Sequence, residues 1–361
     1  MSVIDISPIK SILSEFTHPT LAKNLLELNA IKKCSWEENE LIIKLVMPFP
    51  WQTAFDVLQQ ETTDKILKQT HAKAIRWSIN YDIATLKRAN EQQAIKNVKN
   101  IIAISSGKGG VGKSSTAVNL ALALQQEGAK VGLLDADIYG PSIPTMLGTV
   151  DQHPLTPDNQ HMTPIMAYGL ATNSIGYLVE QGNAMVWRGP MASKALLQML
   201  NDTLWPELDY LVIDMPPGTG DIQLTLAQSI PVTASVIVTT PQDIALIDAQ
   251  KGIAMFNKVN IPTLGIIENM SYHICENCGH HETIFGENGA QELSQQYHTS
   301  LLGQIPLHRS LRQDLDQGQP TVIKQPDSEF ANLYRQVADR IASALYFQGK
   351  VILPDISIRT I

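Results

Sequence analysis

The sequence predicts an α/β protein in which a mainly parallel central sheet is flanked by helices, with a small α/β unit ahead of it. Three observations predict this. From Asn100 onward, short apolar runs alternate with stretches of helical apolar spacing. Those runs are apolar throughout, as strands buried on both faces are. Residues 1–87 carry a smaller, separate strand–helix–strand pattern.

In that first unit, Pro8 to Phe16 reads as a short helix. LIIKLVM (Leu41 to Met47) reads as a strand. Pro48-Phe49-Pro50 is a turn, WQTAFDVLQQE a helix, and Lys73 to Ile79 a second strand. Residues 88–99 are polar and read as a helical linker. The main domain follows over 100–347. Its strands are NIIAIS, VGLLD, DYLVID, ASVIVTT and TLGIIEN. Its helices cover about 113–127, 194–203, 223–229, 244–258, 290–297 and 330–346. Residues 348–361 are a tail, either a late strand or a docking segment. In such a sheet the reactive residues belong at the carboxyl ends of the strands.

With 361 residues, 44% hydrophobic and 17% charged, the chain has material for a full core. Its net charge of -8 argues against nucleic acid as a partner. No apolar run reaches the roughly 18–20 residues of a membrane span, and the N-terminus lacks a signal-peptide pattern. Three cysteines, an odd and sparse count, point to a reducing, cytoplasmic setting rather than a disulfide scaffold.

The sharpest motif is Gly107-Lys108-Gly109-Gly110-Val111-Gly112-Lys113-Ser114-Ser115. It places Gly107, Gly112, Lys113 and Ser114 as GxxxxGK[ST], between a predicted strand and a predicted helix. Glycines let the backbone curl several N–H groups toward one anion, and the helix start adds its dipole. Lys113 is expected to reach the β- and γ-phosphates of ATP, and Ser114 to ligate Mg²⁺. Carboxylates end two later strands: Asp135 and Asp137 after VGLLD, and Asp214 after DYLVI. Such groups can hold Mg²⁺ through water or orient an attacking water. Asp221 is either a switch residue or a helix cap, and Gly218 could offer its N–H to a γ-phosphate. Arg188, in the loop Trp187 to Pro190, is either a phosphate or partner contact or a structural ion pair.

Cys275-Glu276-Asn277-Cys278 is a CxxC with three readings. A redox dithiol would start a helix, which this pair does not. Zinc could add His273, His280 or His281. A [4Fe–4S] cluster wants four thiolates, which two copies of the chain would supply. Cys34 has no cysteine neighbour and reads as a small buried apolar residue.

GKGGVGKS resembles the deviant Walker A motif of the Min, Par, nitrogenase iron-protein and Mrp ATPases. That resemblance implies an ATP-dependent homodimer in which Lys108 reaches the partner's nucleotide. It also implies Asp137 as the water-activating residue, Asp214 as the Walker B carboxylate, Asp135 as an outer Mg²⁺ partner and Asn269 as a reader of the adenine edge. Residues from about 98 to 346 further resemble the Mrp/ApbC family of iron–sulfur cluster carrier ATPases, through SSGKGGVGKSS, GLLDADIYGPSIP, RGPMASKAL, DYLVIDMPPGTGD and GIIENMSYHICENCGHH. This implies a P-loop NTPase whose Cys275 and Cys278 hold a [4Fe–4S] cluster bridged between subunits. It also implies slow ATP hydrolysis coupled to cluster transfer, with apoproteins and a cluster-assembly scaffold as partners. The rival classes are a zinc-stabilised nucleotide-dependent scaffold and a Min/Par-type positioning ATPase. The N-terminal unit resembles the assembly-associated domain of bacterial members. Thr17-His18-Pro19-Thr20 stands where those members carry an acidic Asp-Pro-Glu element.

Overall fold

The computed structural model describes residues 6–37, 40–179 and 189–352. Trp187, Arg188 and the tail beyond 352 lie outside the described residues.

The N-terminal unit runs α1 (Ser7–Glu15), β1 (Ile31–Glu37), β2 (Glu40–Met47), α2 (Gln52–Thr70) and β3 (Ala74–Tyr81). β1 pairs antiparallel with β2, and β3 pairs parallel with β2 after the α2 crossover. β1 escapes a reading by pattern because its residues, IKKCSWE, are mostly half-buried or exposed. His18, Thr20 and Trp51 form a hydrogen-bonded cluster: His18 Nδ1 lies 2.7 Å from Thr20 Oγ1, which also accepts from Trp51 Nε1 at 2.9 Å.

Residues 88–97 hold no helix. Ala89 N–H donates to the Val232 carbonyl, and the Asn90 amide donates to Ile230 O at 2.8 Å. Cross-chain bonds of this kind replace the helical ones and hold the segment along the domain.

The large sheet begins with β4 (Val98–Ser105), which leads through the glycine loop into α3 (Lys113–Gln126). Then come β5 (Val131–Asp135), α4 (Ile143–Met146), β6 (Ile165–Ala167), β7 (Leu170–Ser174) and α5 (Gly189–Asp202). β8 (Leu208–Asp214), α6 (Asp221–Ser229), β9 (Ala234–Thr239) and α7 (Asp243–Lys258) follow. The chain continues through β10 (Thr263–Ile274), β11 (His281–Glu282), α8 (Gly289–Gln296) and β12 (Ser300–Leu307). It ends on α9 (Arg309–Asp316), α10 (Thr321–Lys324) and α11 (Glu329–Gln348).

Seven strands lie parallel in the order β12-β10-β9-β4-β8-β5-β7. β6 adds antiparallel to β7, and β11 folds back antiparallel on the end of β10. The central strands are buried on both faces, which explains their unbroken apolar runs. Along β4, Ile102 and Ile104 enter the core beneath α3 and α11, while Ile101 and Ala103 face the core beneath α5, α6 and α7. β7 reads LATNS. Its Thr172, Asn173 and Ser174 are all fully buried yet polar, so hydropathy conceals the strand.

The small unit shares the α3/α11 core. Phe49 packs against Tyr346 and Phe347, with ring centroids 5.4 and 5.7 Å apart. Glu127, at the end of α3, accepts from the Thr53 N–H at 2.7 Å and from the Thr53 hydroxyl.

Candidate functional site

The glycine loop sits where β4 ends and α3 starts, at the centre of the sheet. Gly110 and Gly112 have φ of 82° and 83°, a left-handed backbone that glycine adopts without strain. Gly107 is needed for close approach: a Cβ there would lie 2.0 Å from the Asp248 carbonyl oxygen of α7. Val111 is buried, and Ser106 Oγ donates to the Lys108 carbonyl and fixes the loop's first turn. Lys108 itself is exposed, as are Gly109 and Gly110.

Lys113 points inward and is only 5% exposed. Its Nζ donates to Asp214 Oδ1 at 2.6 Å, lies 3.6 Å from Asp137 Oδ2, and reaches Ser114 Oγ at 3.3 Å. Asp214 and Asp135 are register partners at the ends of β8 and β5, both fully buried. Asp135 accepts from Ser174 Oγ at 2.9 Å, from Ile143 N at 3.3 Å and from Asp137 N at 3.2 Å. Burial, then the Asp214 charge, pushes the Asp135 carboxyl up to about 7. Burial also raises Asp137, against the pull of Lys113. The sheet thus gathers Lys113, Asp135, Asp137 and Asp214 at one end. Ser174 is the member that sequence reading missed, because the strand carrying it was not visible.

Ser114 and Asp214 fit a magnesium ion. Asp214 Oδ2 is buried without a hydrogen-bond partner, and Lys113 Nζ reaches both the other oxygen of this carboxylate and Ser114 Oγ. Gly218 departs from expectation: its N–H donates to the Ser106 carbonyl at 2.9 Å instead of standing free for a phosphate. Asp221 lies in the first turn of α6, where its charge complements the helix dipole.

Asn269 packs on the loop. Its Nδ2 donates to the Val111 carbonyl at 2.9 Å, and a Cβ on Gly112 would lie 2.1 Å from it. It borders a cavity of about 450 Å³ that runs from Gly112 and Ser115 past Asn119 to Leu311 and Arg312. The preceding Glu268 accepts from Ser271 Oγ, Gln304 Nε2 and the Ala290 N–H, tying β10 to β12 and α8.

Five residues past Asn269, β10 ends and the cysteine turn begins. His273 pairs with Glu282 and Ile274 with His281, so β10 and β11 form a hairpin with the cysteines at its tip. Cys275 N–H donates to His280 O at 2.9 Å, and Gly279 N–H to Cys275 O at 2.8 Å. Gly279, at φ 70°, closes the turn. The Asn277 and Cys278 N–H groups and the Cys278 thiol donate to the Cys275 sulfur and draw its thiol below the usual range. Both are free thiols, Cys278 exposed and Cys275 partly so. His281 stacks on Tyr272 at 5.0 Å, and His273 Nδ1 lies 3.2 Å from Leu307 O. Among the described residues, no three His, Cys, Asp or Glu side chains are grouped to hold a metal ion. Cys34 is half-buried on β1, in the N-terminal sheet.

Among the described residues, no helix is long and apolar enough to cross a membrane. The family model ParA, described as NUBPL iron-transfer P-loop NTPase, matches residues 97–342. The chain is 67% identical to the iron-sulfur cluster carrier protein of Salmonella typhimurium, over 97% of this chain and 95% of that one. It is 50% identical to the mouse iron-sulfur cluster transfer protein NUBPL, over 71% of this chain and 80% of that one. Among solved structures, the nucleotide-binding protein of Archaeoglobus fulgidus in complex with ADP superposes with a TM-score of 0.58 at 34% identity, covering 66% of this chain and 93% of that one. The cell division ATPase MinD of Pyrococcus furiosus shares the fold, with a TM-score of 0.50 at 23% identity over 67% and 98% of the two chains. By the family model over residues 97–342 and the identity to these carriers, the chain belongs to the NUBPL iron-transfer P-loop NTPase family.

Proposed function

We propose that this protein is an ATP-hydrolysing carrier that holds a [4Fe–4S] cluster between two copies of the chain and hands it to apoproteins. One observation carries the reading: a single strand, β10, bears Asn269 against the phosphate loop and leads directly into the Cys275–Cys278 turn. A shift of the loop on nucleotide binding would thereby be felt at the thiols. The names of the relatives, cluster carrier and cluster transfer proteins, support the same cargo.

ATP is the substrate of the loop. Its N–H groups and Lys113 would neutralise phosphate oxygens, and Lys113 would leave Asp214 to do so. Ser114 and Asp214, with Asp135 behind them, would hold Mg²⁺, which supplies positive charge to the phosphates. Asp137, 13% exposed and next to Lys113, would orient the attacking water. Catalysis of this kind is positioning and charge stabilisation. Gly218 would reach a γ-phosphate only by releasing Ser106, so that loop would sense the nucleotide. Lys108, exposed at the rim, would serve the partner's site. Each chain brings two thiolates, so two copies complete a four-thiolate set. Free thiols of this kind call for a reducing compartment, in keeping with a cytoplasmic protein.

The test is anaerobic reconstitution with iron and sulfide. About four iron per dimer and a broad visible absorption are expected, both lost in the Cys275→Ala/Cys278→Ala double variant. A colourless wild-type protein that binds one zinc would overturn the cluster reading.

A further inference from the structure

We propose that a basic concavity at the opposite end of the large sheet from the phosphate loop binds a small polyanion bearing phosphate or carboxylate groups. The cavity holds about 310 Å³, within the usual range for small-molecule sites. It lies where β9 and β10 begin, at Ala234 and Pro262, whereas the phosphate loop follows the carboxyl end of β4. Lys87, Arg88 and Lys350 line it together with the amides of Asn260 and Gln348. No carboxylate lines it.

The charge pattern is what calls for an anion. Acids outnumber bases in this chain, 35 to 27, and several cations elsewhere are paired with them. Lys99 sits 2.8 Å from Asp209, and Lys324 2.8 Å from Asp314. Among the described residues, the side chains of Lys87, Arg88 and Lys350 make no ion pair or hydrogen bond, nor do those of Asn260 and Gln348. The three cations did not gather through attraction. Backbone pairing placed them: Lys87 N–H donates to Lys350 O at 2.8 Å, Ile352 N–H to Thr85 O at 2.8 Å, and Leu86 bridges Val351 antiparallel. Lys87 and Lys350 are therefore cross-strand neighbours of like charge, an arrangement that costs stability unless an anion offsets it. A concave wall of one sign focuses the field into the cavity. Arg88 supplies a planar fork for two oxygens, the lysines supply point charges, and the two amides supply further donors. The size of the cavity and the three positive charges suit a compact ligand with at least two anionic groups.

The test is calorimetric titration of the full chain with pyrophosphate and, separately, citrate. Saturating ADP fills the phosphate loop, and no divalent metal is added. One binding event per chain is expected for at least one of the two anions, and which one binds tells phosphate from carboxylate chemistry. A hydrogen bond to a charged group contributes about 1.5–3 kcal/mol, so Lys87→Ala and Lys350→Ala should each weaken binding about 10- to 100-fold. ADP affinity should not change, and Lys68→Ala on the N-terminal unit should behave as wild type. Anion binding should also slow amide exchange at Lys87 and Ile352, whose N–H groups hold the two segments together. Absence of binding by both anions, or binding that the Lys87 and Lys350 variants leave intact, would overturn the proposal.

Discussion

Replacing Lys113 by Met tests the electrostatics of the nucleotide site through stability as well as turnover. The ammonium is 5% exposed, 2.6 Å from Asp214, which is fully buried, and 3.6 Å from Asp137. Removing one partner of a buried ion pair costs about 3–5 kcal/mol, because the other charge is left uncompensated. For a domain of roughly 150–250 residues, each kcal/mol moves Tm by about 2–4 °C, so Tm should fall by about 6–20 °C at pH 8. The loss should shrink at pH 6. Asp135 is already pushed up to about 7, and without Lys113 the carboxyls take up protons more readily still. A carboxyl whose folded pKa lies above its unfolded value stabilises at low pH, and that contribution is lost as pH rises through the folded value. Thermal unfolding of the full chain by circular dichroism at both pH values measures this, and adding Asp214→Asn should recover most of the loss. ATP turnover should vanish in the Lys113 variant. An unchanged Tm at pH 8, or a loss identical at pH 6 and pH 8, would refute the reasoning.

Two further predictions separate surface from seam. Lys108 is exposed, so Lys108→Ala should leave unfolding free energy within about 0.5 kcal/mol and nucleotide binding by the isolated chain intact. ATP turnover should nonetheless fall, because the proposed role lies in the partner's site; equal turnover at concentrations that favour the dimer would exclude that role. Asp339 on α11 is 3% exposed, and its Oδ1 has no hydrogen-bond partner. Burial first, then the neighbouring Glu127, raises its carboxyl, and burial raises Glu127 as well. The folded pair therefore binds protons more tightly than the unfolded chain does, and this contribution disappears as pH climbs past the folded values. Urea unfolding should show Asp339→Asn gaining on wild type as pH rises from 5.5 to 8. Parallel stability curves across that range would contradict the carboxyl pair.

Much of the site was legible because its chemistry is written at short spacing. The glycine loop, the carboxylates closing VGLLD and DYLVID, and the CxxC each occupy one turn or one strand end. Their local backbone follows from glycine freedom and apolar runs alone. Less was legible where burial and polarity conflict. β7 is buried through Thr172, Asn173 and Ser174, so its strand and its Ser174–Asp135 hydrogen bond had no hydropathic trace. β12 alternates only loosely, and α9 begins on a polar run, so the stretch between α8 and α11 stayed unread. The polar stretch after residue 87 looked helical by composition, but its backbone and side-chain groups bond across to Val232 and Ile230.

By itself the sequence determined the parallel α/β plan, the phosphate loop and the thiol pair, since each rests on residues near one another in the chain. Only the tertiary structure decided that Lys113 is held by Asp214, that Gly218 is bound to Ser106 and that Asn269 closes over Val111. Those partners lie 101, 112 and 158 residues apart and meet only because crossover helices place β8 and β10 beside or near β4. The tertiary structure also decided that the cysteines sit at the tip of the hairpin of β10 and β11, with Cys278 exposed and Cys275 partly so.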